Sequence, residues 1–525
     1  MLLALVGGAA SAFAFQPLGL WPLMIVAFAL ICWLVERAAS LKSALAIGWF
    51  FGLGQFVIGL NWIATAFTFQ AKMPPWLGWI AVVLLSIYLA VYPMLATGLA
   101  WRFGKARPVA LVLALAGGWT ISEWLRAAMF TGFAWNPVGV TLADTPLIGA
   151  SRWIGTYGLS AMTILIGGSL WLASRKEWRM LAAVVAAAIL LTVAPAPAVR
   201  APSSGPPLPG AAANAHPGEK AEGSVLMRPI RIVQPNIGQE DKWRPGFDAI
   251  AAERLRSLSL QGPQASHLLF WPEAAVTNPL LDERPAASEV VAIERRQAAQ
   301  VLPPNELLIT GGLALLSSDA QRVTGATNSV FVLGAGGQML GRYDKAHLVP
   351  YGEYLPMRPL LSAIGLSRLA PGDLDFRPGP GPRSVQLPAS WGKVGFQLCY
   401  EIIFSGEVVD RRDRPDFIFN PSNDAWFGSW GPPQHLAQAR LRAAEEGLPV
   451  VRSTPTGISA LIDPHGKVVA SLPWQTPGVI NTLLPDPLEP PLFARLGNTI
   501  PLALGFILLF AGIVLGRSRR YSTGI

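Results

Sequence analysis

Charge is what this sequence has least of. Only 14% of its 525 residues are Asp, Glu, Lys or Arg, against the roughly 25% usual in soluble domains, while 52% are hydrophobic. A wholly water-soluble chain is thereby excluded, and so are a disordered and a collagen-like one. Cysteine is almost missing: two in the whole chain, Cys32 in an apolar stretch and Cys399 far downstream, which rules out a disulfide scaffold. The five histidines, at 216, 267, 347, 435 and 465, stand singly and make no ligand spacing. With no glycine-rich phosphate loop either, neither metal nor cofactor is expected. The net charge of +9 raises the question of nucleic acid. The bases gather beside apolar segments instead of forming one dense stripe, so lipid head groups account for them better, and no nucleic-acid partner is expected.

Long apolar runs are what is there. A spanning helix needs about 20 mostly apolar residues. Candidates occur at 1–15, 20–35, 44–67, 76–100, 108–125, 154–173 and 180–196, with an eighth at 498–516. Ser11-Ala12-Phe13-Ala14 looks like a leader cleavage site, but no basic residue precedes the apolar run, so a retained helix is expected. Lys and Arg resist translocation. With the N-terminus inside, the inner loops and tail hold Arg37, Lys42, Arg102, Lys105, Arg107, Arg175, Lys176, Arg179, Arg517, Arg519 and Arg520, whereas the outer short loops hold Lys72, Arg126 and Arg152. Eleven bases against three predict both termini in the cytoplasm and the polar region outside, in the periplasm if the cell is a bacterium.

The expected organisation is a seven-helix membrane bundle over 1–197, a Pro/Ala-rich linker over 198–227, a periplasmic domain over 228–490, and a last helix with a cytoplasmic tail over 495–525. Within the polar region, apolar runs at 230–237, 267–276, 306–315, 328–334, 393–402, 416–422 and 448–457 alternate with helical patterns at 249–260 and 435–447. Buried strands interleaved with amphipathic helices predict an α/β architecture.

A lone thiol outside the cytoplasm is an oxidation hazard, which draws attention to Cys399. Such a residue is commonly just a small buried hydrophobe. Here it ends the apolar run Val394–Leu398 and precedes Tyr400 and Glu401, at a strand end where a sharp turn is expected to expose it. A cysteine nucleophile needs a base and a group to hold an oxyanion. Histidine is too sparse for an evident Cys-His pair, which leaves a carboxylate and a lysine. Glu273, beside Trp271 and Pro272, is a partly desolvated acid at a strand end; Lys345, expected at the end of another strand, could donate to a carbonyl oxygen and lower the thiol pKa by its charge. Taken singly, each is as readily a solvated or salt-bridged residue.

Together they make a pattern. WPEAAV at 271–276, YDKAHLVPYGEYLP at 343–356 and QLCYEIIF at 397–404 are spaced by 72 and 54 residues between Glu273, Lys345 and Cys399. They resemble the Glu-Lys-Cys signature of the nitrilase superfamily. With the apolar runs, the opening FAFQPLGLWPL (13–23) and NPSNDAWFG (420–428), the chain resembles a membrane-embedded branch of it, the bacterial apolipoprotein N-acyltransferase family, over almost its full length. The resemblance implies a polytopic bundle of about eight spans carrying a nitrilase-like αββα sandwich, in the bacterial inner membrane. It also implies transfer of the sn-1 acyl chain of a phospholipid, typically phosphatidylethanolamine, through a Cys399 thioester. The acceptor is the α-amine of the diacylglyceryl-cysteine that begins an apolipoprotein.

By the same resemblance Glu273 is the base, Lys345 the oxyanion donor, and Glu353 a second carboxylate that orients Lys345. Tyr400 and Glu401 match positions around the nucleophile, Trp243 matches a loop tryptophan, and Asn328 opens a matched strand. Trp426 and Phe427 are expected to form an apolar rim for the acyl chain. The alternatives are a membrane-tethered amidase and a non-catalytic receptor or transporter with a degenerate domain.

Overall fold

The computed structural model describes residues 1–69, 74–204, 228–242, 244–262, 267–363, 365, 367–369 and 374–517. Lys72, Trp243, Arg519, Arg520 and linker residues 205–227 lie outside them. The N-terminal part is helical: α1 (Leu2–Ser11), α2 (Pro22–Arg37), α3 (Leu41–Gly59), α4 (Trp62–Ala66), α5 (Leu77–Leu89), α6 (Val91–Gly104), α7 (Pro108–Ala128), α8 (Ser151–Ala173) and α9 (Trp178–Val193). All eight apolar runs form helices, but among the described residues only five helical segments are long and apolar enough to cross a membrane. These are Leu41–Gly59, Leu77–Gly104, Pro108–Ala128, Pro146–Ala173 and the C-terminal Thr499–Arg517. The first, second and seventh runs yield shorter helices, because turns at Gln16–Trp21 and Ser174–Glu177 and the extended stretch after Val193 interrupt them.

Small residues let these helices cross closely, as packing without a water-driven force requires. A Cβ on Gly54 of α3 would lie 2.2 Å from the Leu5 carbonyl oxygen of α1, and one on Gly117 of α7 would lie 2.4 Å from the Gly505 carbonyl oxygen. Arg126, expected in an outer loop, instead ends α7 fully buried, its Nη1 donating to the Trp135 carbonyl at 2.8 Å.

The polar region begins with β1 (Pro229–Gln234), α10 (Phe247–Ser259), β2 (Leu268–Phe270), β3 (Pro279–Asp282), α11 (Ser288–Ala299), β4 (Leu307–Leu316), β5 (Gly325–Gly334) and β6 (Met339–Asp344). It continues with α12 (Arg358–Ala363), β7 (Ser384–Gln386), β8 (Lys393–Phe396), β9 (Phe417–Pro421), α13 (Gly431–Glu446), β10 (Val450–Ser453), β11 (Ala460–Ile462), β12 (Val468–Ser471) and β13 (Gly478–Leu483). Two helices follow, α14 (Leu492–Leu496) and α15 (Thr499–Arg517).

The strands form two sheets. One runs β13-β1-β2-β4-β5-β6, with β3 beside β4; the other runs β12-β11-β10-β9-β8-β7. Both have parallel centres, β1-β2-β4 and β8-β9-β10, and antiparallel edges. Period-two alternation assigns the faces. Ile230, Ile232, Leu268, Phe270, Leu307 and Ile309 turn toward the second sheet, where Phe270 meets Phe419 with ring centroids 4.9 Å apart. Val233, Leu269, Leu308 and Phe331 turn outward onto Leu255 and Leu258 of α10 and Ala298 and Ala299 of α11. With α13 against the second sheet, the order of layers is αββα.

Helical part and sandwich share one core. Trp62 and Trp135 pack together at 4.4 Å and on Phe427, among the same buried residues as β1 and β8. α8 breaks at Gly155 (φ +67°), freeing the Thr156 amide to donate to Glu445 Oε1 of α13 at 2.6 Å. The Thr156 and Ser405 hydroxyls donate to the same oxygen at 2.7 and 2.8 Å, and Arg442 pairs with Oε2 at 2.6 Å. The start of the linker belongs to the sandwich as well: the Arg200 amide donates to Pro487 O at 2.7 Å and its guanidinium pairs with Asp416 at 2.9 Å.

Removing the Glu445 carboxylate would strand a buried guanidinium and three other donors. Glu445→Ala is expected to destabilise the protein by about 3–5 kcal/mol, read as a lower thermal-unfolding midpoint in detergent; an unchanged midpoint would contradict this role.

Candidate active site

Three strand exits converge. Glu273 follows β2 on a turn whose next residue, Ala274, has φ +48°. The turn lies flat on β4 because position 311 is glycine: a Cβ there would be 2.7 Å from both Glu273 Cα and the Ala274 nitrogen. Lys345 follows β6, its amide bonded to the Asn328 carbonyl of β5 at 2.9 Å. Its ammonium is buried and pairs with Glu353 Oε2 at 2.9 Å. Asn328 bridges the two acids, donating from Nδ2 to Glu273 Oε1 at 2.8 Å and to Glu353 Oε1 at 2.9 Å. The Val349 amide completes the hold on Glu353 at 2.8 Å.

Cys399 opens a 3₁₀ turn, Cys399–Ile403, three residues after β8 ends. Its φ of +53° is rare for a residue with a side chain and costs on the order of 1–3 kcal/mol, as nucleophile turns often do. The sequence reading expected exposure, yet the residue is only 5% exposed. The Asn423 backbone N–H faces its sulfur and favours the thiolate. Glu401 braces the turn: it accepts from Tyr343 Oη (2.7 Å), the amides of Ala346 (2.8 Å) and His347 (3.0 Å), and the Leu398 amide (2.7 Å). One carboxylate thereby locks the lysine loop to the cysteine turn. Tyr400 is buried and donates to the Gly132 carbonyl at 3.3 Å, in the loop after α7. His347 stacks on Phe404 and bonds to the Thr131 carbonyl at 2.8 Å, so the site rests directly on the helical part.

Burial governs the electrostatics. It raises the Glu273 carboxyl above the ordinary range, with Lys345 opposing and Glu353 adding to the rise. Burial alone would lower Lys345, but the charges of Glu353 and Glu273 outweigh it and hold the ammonium above its usual value, hence charged. The Cys399 thiol is pushed well up by burial and by the Glu273 charge, against Lys345 and the Asn423 amide. A standing thiolate is therefore disfavoured, so an attack by this sulfur would require its proton to leave in the same step. Glu273 Oε2, without a hydrogen-bond partner among the described residues, is the acceptor left for it, and the thiol lies within its reach. A general base, a fixed cation and a thiol so placed suit acyl transfer through a covalent intermediate.

Trp243 lies outside the described residues. Phe427 is not on an exposed rim but buried between Trp62, Trp135 and His435; Trp426 is half-buried against Phe69. Asn328 holds the two carboxylates. The sequence reading passed over Lys242, buried beside Glu273, where desolvation lowers its ammonium to about 8. It also passed over Asp424, His435 and Arg452, fully buried behind Cys399. The SNDAWF motif carried a signal for Asp424, read only for its aromatic residues.

The sign of the Glu273 effect separates acidity from catalysis. Glu273→Gln removes a charge that raises the thiol, so alkylation of Cys399 by iodoacetamide at pH 7 should accelerate while acyl transfer falls by roughly 10²–10⁴-fold. Slower alkylation in this variant would contradict the assigned electrostatics.

The family model described as the apolipoprotein N-acyltransferase N-terminal domain matches residues 7–170, and that described as carbon-nitrogen hydrolase matches 230–485. The chain is 34% identical to the apolipoprotein N-acyltransferase of Rhodopseudomonas palustris and 35% identical to that of Bradyrhizobium diazoefficiens, each over 99% of this chain and 95% of the relative. Among solved structures, a Nesterenkonia amidase superposes on 50% of this chain and 94% of its own, at 17% identity and a TM-score of 0.33. Identity at this level along nearly the whole of both chains has one reading: the chain belongs to the apolipoprotein N-acyltransferase family.

Proposed function

We propose that this protein acylates the N-terminal amine of lipoprotein precursors, using a membrane phospholipid as donor and Glu273, Lys345 and Cys399 as the catalytic residues. In the first half-reaction the sulfur attacks the sn-1 ester carbonyl as Glu273 Oε2 takes the thiol proton. Lys345 Nζ, with a backbone N–H beside Cys399, holds the tetrahedral oxyanion. Collapse breaks the bond to the glyceryl oxygen, which receives the proton from Glu273, so a lysophospholipid leaves and a thioester remains. In the second, the α-amine of a diacylglyceryl-cysteine attacks the thioester. Glu273 takes a proton from the nitrogen and returns it to the departing sulfur. Glu353 keeps Lys345 in place, and Tyr400 and Glu401 fix the turn.

The observation that carries this reading is the seating of a buried Glu-Lys-Cys cluster on the loop after α7, through Tyr400 to Gly132 and His347 to Thr131. A hydrolase of water-soluble amides needs one anchor at most, whereas an enzyme with two lipid substrates benefits from a site built onto the bundle. Phosphatidylethanolamine is the proposed donor, and Trp243 and Trp426 the proposed neighbours of the acyl chain. We assign eight spans, three of them short, to the inner membrane. The sandwich (228–490) then lies in the periplasm and both termini in the cytoplasm, on the strength of the excess of basic residues in the inner loops and tail.

Purified protein given phospholipid labelled in the sn-1 chain should acquire the label on Cys399 as a thioester that persists until an apolipoprotein peptide is added. Cys399→Ala should lower transfer by roughly 10⁴-fold or more. Prompt release of free fatty acid to water would indicate the tethered hydrolase instead, and undiminished lipoprotein acylation in cells relying on Cys399→Ser would indicate a non-catalytic protein.

A further inference from the structure

Against the backbone of the nucleophile lies a second cluster that the scheme above does not use. His435 of α13 has no exposed surface, and its ring packs on Trp135 (5.2 Å) and Phe427 (5.8 Å). Nε2 lies 3.1 Å from the Cys399 carbonyl oxygen. A carbonyl can only accept, so Nε2 carries a proton and donates it. Burial and Arg452 keep the ring neutral, so Nδ1 is an acceptor: it takes a hydrogen from Arg452 Nη2 at 3.1 Å and lies 2.9 Å from Asp424 Oδ1, which the same guanidinium holds. Arg452 of β10 holds the far side of Asp424, Nη2 to Oδ2 at 2.6 Å, and reaches Ser422 Oγ at 3.0 Å and the Asn420 side chain. Asn420 in turn donates to the Gln397 carbonyl at 2.6 Å, in the segment leading to Cys399.

Two facts lift this above ordinary core packing. The histidine bonds to the backbone of the nucleophile itself, at a residue whose positive φ must be imposed from outside. Asp424 also directly follows Asn423, whose backbone N–H faces the Cys399 sulfur. The Asp424–Arg452 pair thus borders both the histidine on the Cys399 carbonyl and the segment beside its thiol.

We propose that His435 is a positioning residue for Cys399. By donating from Nε2 to the Cys399 carbonyl while Arg452 holds Nδ1, it keeps the nucleophile turn in register with the Asn423 backbone and so sets the direction of the thiol. The inference rests on Cys399 being the nucleophile. The charges facing that thiol are Glu273, Lys345 and Asp424, and those facing the ring are Asp424 and Arg452; substitution of His435 leaves them all in place.

The test compares His435→Gln, whose amide reaches as far as Nε2, with His435→Asn, which reaches only as far as Nδ1, both in the full-length protein. Two quantities are read: kcat and KM for transfer, and the pH profile of Cys399 alkylation by iodoacetamide, which needs no lipid. His435→Gln should stay within about tenfold of the parent in kcat, while His435→Asn loses about 100-fold with KM little changed. The alkylation profile of His435→Asn should move to higher pH, because the amide donor that favours the thiolate is no longer aligned. A shifted profile supports positioning whatever the acyl donor proves to be, which separates this inference from the donor assignment. Equal kcat and equal profiles in the two variants overturn it. Should His435→Asn fail to fold, His435→Met, which fills the site without a donor, takes its place: a profile moved to higher pH supports the proposal, a parental one overturns it.

Discussion

Water is kept from the Cys399 thiol, and most of the site follows from that exclusion. A buried thiol beside a carboxylate resists ionisation, so a standing thiolate is disfavoured and the proposed attack requires a base at the moment it occurs. The base, buried too, becomes a better proton acceptor for the same reason. Burying acids and an ammonium together costs several kcal/mol per ion unless each is paired. Hence Glu353 on Lys345, Asn328 across Glu273 and Glu353, and four donors on Glu401. The thioester proposed for Cys399 would be shielded from hydrolysis in such surroundings, which is the condition for handing an acyl chain to an amine.

The same constraint explains how the two parts of the chain meet. A sandwich domain joined to the helices only by flexible connections would leave the cysteine turn open to solvent. Instead the turn is closed from below by the loop after α7, by the Trp62–Trp135–Phe427 cluster, and by the clamp in which the Gly155 break offers α8 donors to Glu445. The membrane part therefore serves as a wall of the site as well as a means of reaching lipid substrates.

Legibility in the sequence follows the physics of each feature. Strand alternation and helical runs were readable because their periods are local, and the αββα layering rests on them. Boundaries at functional turns were not: the apolar run 393–402 reads as one strand, yet β8 stops at Phe396 and the chain coils into a 3₁₀ turn, since the conformation at Cys399 is imposed by Glu401 and His435 from a distance. The short, partly exposed edge strands β7, β12 and β13 lack the strong apolar signal of the sheet centres. Phe427 reads as a surface aromatic beside a membrane, and only the approach of α4 and the 133–138 loop buries it.

By itself the sequence determined which groups are available for chemistry and the class of fold that carries them: a chain poor in charge, one thiol in its polar region, and a carboxylate and a lysine in recognisable surroundings. Those properties reside in side-chain identity and local period. Only the tertiary structure decided what the groups are to one another: that Asn328 joins two acids, that Glu401 ties two loops, that His435 reaches the backbone of Cys399, and that the thiol is buried. These relations link residues tens to hundreds of positions apart, and a hydrogen bond depends on distance and direction in space, which no spacing along the chain encodes.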